Sequence, residues 1–190
     1  MPRWDAWVHR PYYDSNQLAR RVNWFRELFA KSHIRTARKS IIEIGAGHGR
    51  ATHIFVELFA KVIATEPNQI LYTQLQELGQ LYGADRLQTY RVKCEDLRDM
   101  KTKFMAFSYS FAFVDKMKCL DIIDDVLQTN GHLLVLDTFR PLKLDDEFDT
   151  NREFRELVMR SIQMLMSRPT LRLVYMGFEF ASIICLFQKC

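Results

Sequence analysis

The chain has 190 residues and a formal net charge of +4, and it is 48% apolar and 13% aromatic. That length is one domain's worth with enough apolar mass to bury a core, which argues against disorder and against a separate substrate domain. The charge is modest, so the basic stretch through Arg20, Arg21, Lys31, Arg35, Arg38 and Lys39 is weak evidence for a polyanionic partner. Cys94, Cys119, Cys185 and Cys190 show no C-x-x-C pairing and no histidine at metal-ligand spacing, so no metal site and no disulfide framework is expected. No run approaches the ~20 apolar residues of a membrane span, and the early charges Arg3, Asp5 and Arg10 do not suit a signal peptide. A soluble, cytoplasmic protein is the expectation.

Residues 1–11 carry Trp4, Trp7, His9 and Pro11 without a clear period and read as an irregular arm. Asp14 or Ser15 can cap a helix whose apolar positions Leu18, Val22, Phe25, Leu28 and Phe29 recur at three- and four-residue steps through Ala30. Residues 41–50, I-I-E-I-G-A-G-H-G-R, then read as a buried strand entering a backbone-lined turn. Glycine suits positive φ or a close approach of the backbone, so Gly45, Gly47 and Gly49 at alternate positions point to a ligand lying on the turn. Helical spacing resumes after them, with Ile54, Phe55 and Leu58 toward a core.

A dinucleotide-binding turn, G-x-G-x-x-G, would place its third glycine where Arg50 stands. Glu43, two residues before the first glycine, suits a ligand with a cationic ammonium or sulfonium group and would repel a pyrophosphate. The segment E-I-G-A-G-H-G resembles the first motif of the class I S-adenosylmethionine (SAM)-dependent methyltransferases, usually written E/D-x-G-x-G-x-G. The resemblance implies a SAM site in which Glu43, Gly45, Ala46, Gly47 and Gly49 meet the cofactor. It also implies an amino-terminal lid, for which Tyr12 and Tyr13 are the candidates, the other reading being two aromatics packed under the arm.

Residues 61–69, K-V-I-A-T-E-P-N-Q, read as a second short strand ending at Glu66 and Pro67. In a parallel doubly wound sheet an acid at that place, about 20 residues past the glycines, accepts hydrogen bonds from ribose hydroxyls. Otherwise Glu66 is an exposed loop carboxylate. A helix follows to Tyr82 with Ile70, Leu71, Leu75 and Leu78 on one face, and residues 87–92 read as a third strand. Cys94-Glu95-Asp96 resembles the family's acidic tract near the adenine, with Lys93 where many relatives carry an acid. Either Glu95 or Asp96 then meets the adenine amino group, or both cap a helix starting near Leu97.

Residues 104–113, F-M-A-F-S-Y-S-F-A-F, read as the central strand with a continuation into the site's rim, which sets Ser110 and Phe111 against the cofactor. The resemblance places Asp115 near the transferred methyl, as a proton acceptor or substrate orienter; a helix N-cap or an ion pair with Lys118 are the structural readings. The next helix carries Cys119, Leu120, Ile123, Val126 and Leu127, and Asn130-Gly131 is expected to close it as a left-handed cap. A fifth strand ends on Asp137, a substrate-side residue or a turn acid. His9 and His48 are further candidate bases, with a solvent-facing side chain as the other reading of His48. The acids Asp145, Asp146, Glu147 and Asp149 precede a last long helix marked by Phe154, Leu157, Val158, Ile162 and Leu165. Two apolar runs, 170–176 and 181–187, read as a closing antiparallel pair.

The expected fold is a single α/β domain over residues 1–190: a doubly wound, mostly parallel seven-stranded sheet with helices on both faces, as the methyltransferase resemblance implies. Residues 1–40 form the arm and first helix, 41–140 the cofactor-binding core, and 141–190 the last helix and strand pair. The expected activity is methyl transfer from SAM to a small-molecule or protein acceptor by in-line displacement, by a monomer or weak homodimer. No N-P-P-Y or D-P-P-Y tetrapeptide follows the fourth strand, so a nucleic-acid acceptor is not favoured. A binding subunit that has kept the fold and lost the transfer is the alternative, since Lys93 and Met105 stand where relatives often carry acids; a nucleotide-dependent oxidoreductase is the other.

Overall fold

The computed structural model describes residues 15–138, 148–180 and 182–190. His9, Tyr12 and Tyr13, like Asp145, Asp146 and Glu147, lie outside the described residues. Helix α1, Ser15–Lys31, buries Val22, Phe25, Leu28 and Phe29 on one stripe, as their spacing requires. It ends where His33 takes φ 56°, with the His33 N–H bonded to the Ala30 carbonyl and the Ile34 N–H to that of Phe29. This is a Schellman ending closed by a histidine where glycine is usual, with Ile34 buried beside it.

Strand β1, Ser40–Ile44, is followed by α2, Thr52–Leu58, then β2, Lys61–Thr65, α3, Gln69–Tyr82, and β3, Leu87–Tyr90. The second half runs β4, Thr102–Ser108, α4, Lys116–Val126, β5, Leu127–Thr138, α5, Phe148–Met166, β6, Leu171–Glu179, and β7, Ser182–Lys189. The seven strands lie in the order β3-β2-β1-β4-β5-β7-β6, parallel except for β7, which runs antiparallel to both β5 and β6. The doubly wound, mostly parallel sheet and its closing antiparallel pair are as expected.

Alternation along the central strands sorts their side chains into two cores. Ile41, Phe104, Ala106, Leu134 and Leu136 join α1, α2 and α3 on one face, while Ile42, Ile44, Met105, Phe107, Leu133 and Val135 join α4 and α5 on the other. Burial on both faces is why these strands read as nearly continuous apolar runs.

Five expectations are corrected. The run 104–113 is not one strand: β4 stops at Ser108, Tyr109 turns with φ 59°, and Phe111–Phe113 form a 3-10 turn. The Tyr109 N–H bonds to the Leu136 carbonyl and the Ser110 hydroxyl to the Ile44 carbonyl at 2.6 Å, so tertiary hydrogen bonds fold an apolar segment over the sheet edge. Asn130-Gly131 does not cap α4, which ends at Val126; Asn130, φ 60°, lies within β5 where the pairing jumps from Thr102↔Leu127 to Phe104↔His132. A bulge uses the same left-handed residue that a cap would. The third strand ends at Tyr90 rather than Val92, and the helix expected near Leu97 is a 3-10 turn over Cys94–Leu97. Ile70 is 58% exposed, so α3 packs through Leu71, Leu75 and Leu78, with Tyr72 and Tyr82 partly buried beside them, rather than through Ile70.

Candidate functional site

The site begins where β1 runs out. Gly45, Gly47 and Gly49 all take positive φ, 67°, 59° and 95°. A Cβ on Gly45 would stand 2.4 Å from Ser110 Cβ, and one on Gly49 would stand 2.4 Å from Leu78 Cδ2. Those two glycines let the protein close on itself. A Cβ on Gly47 would meet nothing within 4 Å, so this is the position where the turn faces open space. The Ala46 N–H bonds to the Thr65 carbonyl at 2.9 Å, tying the turn to the end of β2, and the Ala46 side chain is buried.

Two carboxylates hold the turn from beneath. Glu43 is completely buried; its Oε2 accepts the Thr52 hydroxyl at 2.6 Å, and its carbonyl accepts that of Thr65 at 3.1 Å. Burial pushes its carboxyl up to about 7; the Thr52 and Ser108 hydroxyls act against that shift and the nearby Glu66 adds to it. Neither Glu43 Oε1 nor Ser108 Oγ completes a hydrogen bond of good geometry among the described residues. Glu66 is not an exposed loop acid: it is 6% exposed. Its Oε2 accepts the Gly47 N–H at 2.9 Å and its Oε1 accepts the Asn68 N–H at 2.8 Å. Burial raises its pKa, and those two backbone donors oppose the rise. Each oxygen keeps a second lone pair, because a carboxylate has about four acceptor sites.

Of the other candidates, Pro67 is exposed beside Glu66, and Asn68 caps α3 by accepting from the Ile70 and Leu71 N–H groups. Asp96 accepts the Lys93 N–H at 3.1 Å as part of a capping box, which leaves Glu95, half-buried, as the acid of that tract without this local role. The Cys94 thiol is buried against Cys119, and this contact together with burial drives its pKa far up. Ser110 braces the turn through Ile44, while the Phe111 ring is fully buried, 4.8 Å from that of Phe107. Asp115 caps α4, accepting the Lys118 N–H at 3.3 Å and pairing with Lys118 Nζ at 3.5 Å. Asp137 is buried at the end of β5, opposite Ile183. His48 is half-buried, and burial first and then the Arg50 charge lower its pKa. Glu43, Glu66, the glycines and Ser110 therefore converge, whereas Asp115 and Phe111 are engaged in local structure.

Thr52, Thr65, Ser108 and Tyr109 were not singled out from the sequence. A hydroxyl seated beneath a buried acid is visible only once β1, β2 and β4 lie side by side. Tyr109 carries no local mark for a left-handed backbone.

No protein-family model and no curated protein matches the sequence. Solved structures do match. A proposed caffeoyl-CoA O-methyltransferase from Staphylococcus aureus superposes with a TM-score of 0.66 at 13% identity, over 95% of this chain and 86% of its own. A proposed sarcosine dimethylglycine methyltransferase from Galdieria sulphuraria gives 0.65 at 14%, over 94% and 91%. A SAM-dependent methyltransferase from Aquifex aeolicus gives 0.62 at 12%, over 93% and 98%. This is the class I methyltransferase fold.

In a methyltransferase fold the glycine turn and the acid after β2 face the carboxyl edge of the sheet, where open α/β sheets bind ligands. The residues present fit the fold's cofactor on three counts. Gly47 opens outward, Glu66 has acceptor capacity left for hydroxyl donors, and the buried Glu43 has an oxygen without a well-formed hydrogen bond among the described residues. Among the described residues there is no cluster of metal-ligating side chains, and no helix is long and apolar enough to cross a membrane.

Proposed function

We propose that the chain binds SAM on the 45–49 turn and transfers its methyl group to a small-molecule or protein acceptor. The observation that carries this reading is the Glu66 Oε2 to Gly47 N–H bond, by which the acid ending β2 is held against the one glycine of the turn that opens outward. Glu66 accepts ribose hydroxyls, Gly47 gives the backbone room to approach, and Glu43 places a carboxyl where a cationic ligand favours its ionised form. Glu95 and the backbone of Cys94 serve the adenine side. When bound, SAM supplies an electrophilic methyl on a sulfonium, whose sulfide leaves without needing a proton. The chain's residues then act mainly by positioning, and no dedicated base is required.

Calorimetric titration with SAM, S-adenosylhomocysteine and a nicotinamide dinucleotide tests the reading: heat with the first two and none with the third is expected. Dinucleotide binding without SAM binding would replace it with an oxidoreductase. A second reading, a binding subunit without transfer, draws on Asp115 being held as the cap of α4 rather than left as a base. Labelled-methyl transfer over a panel of metabolites and proteins separates the two, because SAM binding with no labelled product favours the subunit.

A further inference from the structure

Four non-glycine residues among those described have positive φ. His33 closes α1 and Asn130 sits in the β5 bulge, so both have local reasons. The other two are Tyr109, φ 59°, and Phe180, φ 54°. A bulky side chain held left-handed is strained, and such strain gathers at functional sites. Each of these rings lies under an arginine: the Arg50 guanidinium carbon is 5.9 Å from the Tyr109 centroid, and that of Arg21 is 4.4 Å from the Phe180 centroid. Both arginines line one cleft of about 320 Å³, together with Gln17, Arg20 and Phe180.

The cleft is assembled from distant parts of the chain at one edge of the sheet. Gln17, Arg20 and Arg21 stand at i, i+3 and i+4 on α1 and so share a face. Arg50 follows the glycine turn directly, and Phe180 follows β6, whose carboxyl end lies on the same edge as those of β1 and β4. Lys39, at the far end of the basic stretch, stands elsewhere: the Ala60 N–H, just ahead of β2, bonds to its carbonyl at the opposite edge. The rings are in turn braced. Trp24 meets Phe180 edge-on at 6.0 Å, and the Tyr109 hydroxyl meets Ser182 Oγ at 3.2 Å.

A ring under a guanidinium engages its flat face and fixes its plane, while the donors that suit a carboxylate or phosphate project from its edge. A volume of this size is at the small end of ligand pockets. We propose that this cleft is the acceptor subsite and takes a small molecule carrying an oxyanion, a carboxylate or a phosphate. The proposal rests on the methyl-transfer reading, since Arg50 joins the cleft to the 45–49 turn.

The test uses the purified full chain with S-adenosylhomocysteine, and titrates benzoate, phenyl phosphate and neutral benzamide by calorimetry. One or both oxyanions should bind in the millimolar range or tighter and benzamide should not; which oxyanion binds better identifies the head group. Arg20→Gln, Arg21→Gln and Arg50→Gln should each weaken that binding about tenfold. Arg35→Gln, exposed ahead of β1, should leave it unchanged. If oxyanions bind no better than benzamide, or bind equally well to all three cleft variants, the proposal fails. Circular dichroism checks each fold, and the exposed Arg20 gives a variant that removes no buried contact. Arginine-dependent oxyanion binding without any binding of S-adenosylhomocysteine would sink the methyl-transfer reading and the acceptor role with it, leaving an anion site.

Discussion

On one side of the site, left-handed backbone is supplied by Gly45, Gly47 and Gly49; on the other, by Tyr109 and Phe180. The glycines reach those angles at little steric cost, so the turn forms from local chemistry. The two aromatics are held there by partners far along the chain: Leu136 and Ser182 for Tyr109, Trp24 and Arg21 for Phe180. One side of the site is a property of its own segment, and the other exists only when the whole sheet is in place.

The largest effects should come from within the glycine side, where the three positions are not equivalent. Gly45→Ala adds left-handed strain to an overlap with Ser110 and should cost about 3–5 kcal/mol in urea unfolding, whereas Gly47→Ala adds the strain alone and should cost about 1 kcal/mol. Equal costs would mean that Gly45 is not needed for packing against Ser110.

Next is Glu43. Its folded pKa is raised from 4.5 to about 7, so its contribution to stability is fully present below pH 4.5 and is lost as the pH rises through about 7. The loss should be on the order of 3 kcal/mol, because each pKa unit is ~1.36 kcal/mol. Glu43→Gln can still accept the Thr52 hydroxyl, so its unfolding free energy should overtake that of the parent above pH 7. Parallel pH profiles for the two proteins would show that Glu43 titrates normally. The same shift implies proton release when a cationic ligand binds near neutrality, visible as a dependence of the binding heat on the buffer's ionisation enthalpy.

Glu66→Ala should cost about 2 kcal/mol, since it strands the Gly47 and Asn68 N–H groups. It should also weaken SAM binding by on the order of 100-fold. A stable variant that has lost SAM would mean that the acid serves the ligand more than the turn; the reverse result would make it a brace only. Asp115→Ala removes an N-cap and an exposed ion pair and should cost about 1 kcal/mol, with methyl transfer retained. Loss of transfer at unchanged stability would restore it as a proton acceptor.

The sequence alone determined the order of strands and helices, the turn at residues 45–49, the arrival of Glu66 at the end of β2 and the antiparallel close. Each is written in local chemistry: apolar runs of strand length, helical spacing, and glycine where φ must be positive. Only the tertiary structure decided that the apolar run 104–113 breaks at Ser108, that Asn130 serves a bulge rather than a cap, and that Glu66 is buried with its backbone donors. It alone also set Arg20 and Arg21 beside Arg50 and parted them from Lys39. Buried strands and buried turns are equally apolar, and a left-handed residue suits a cap or a bulge alike. What separates those cases is which carbonyl or ring the fold brings within reach, and for Tyr109 and Phe180 those partners lie tens of residues away.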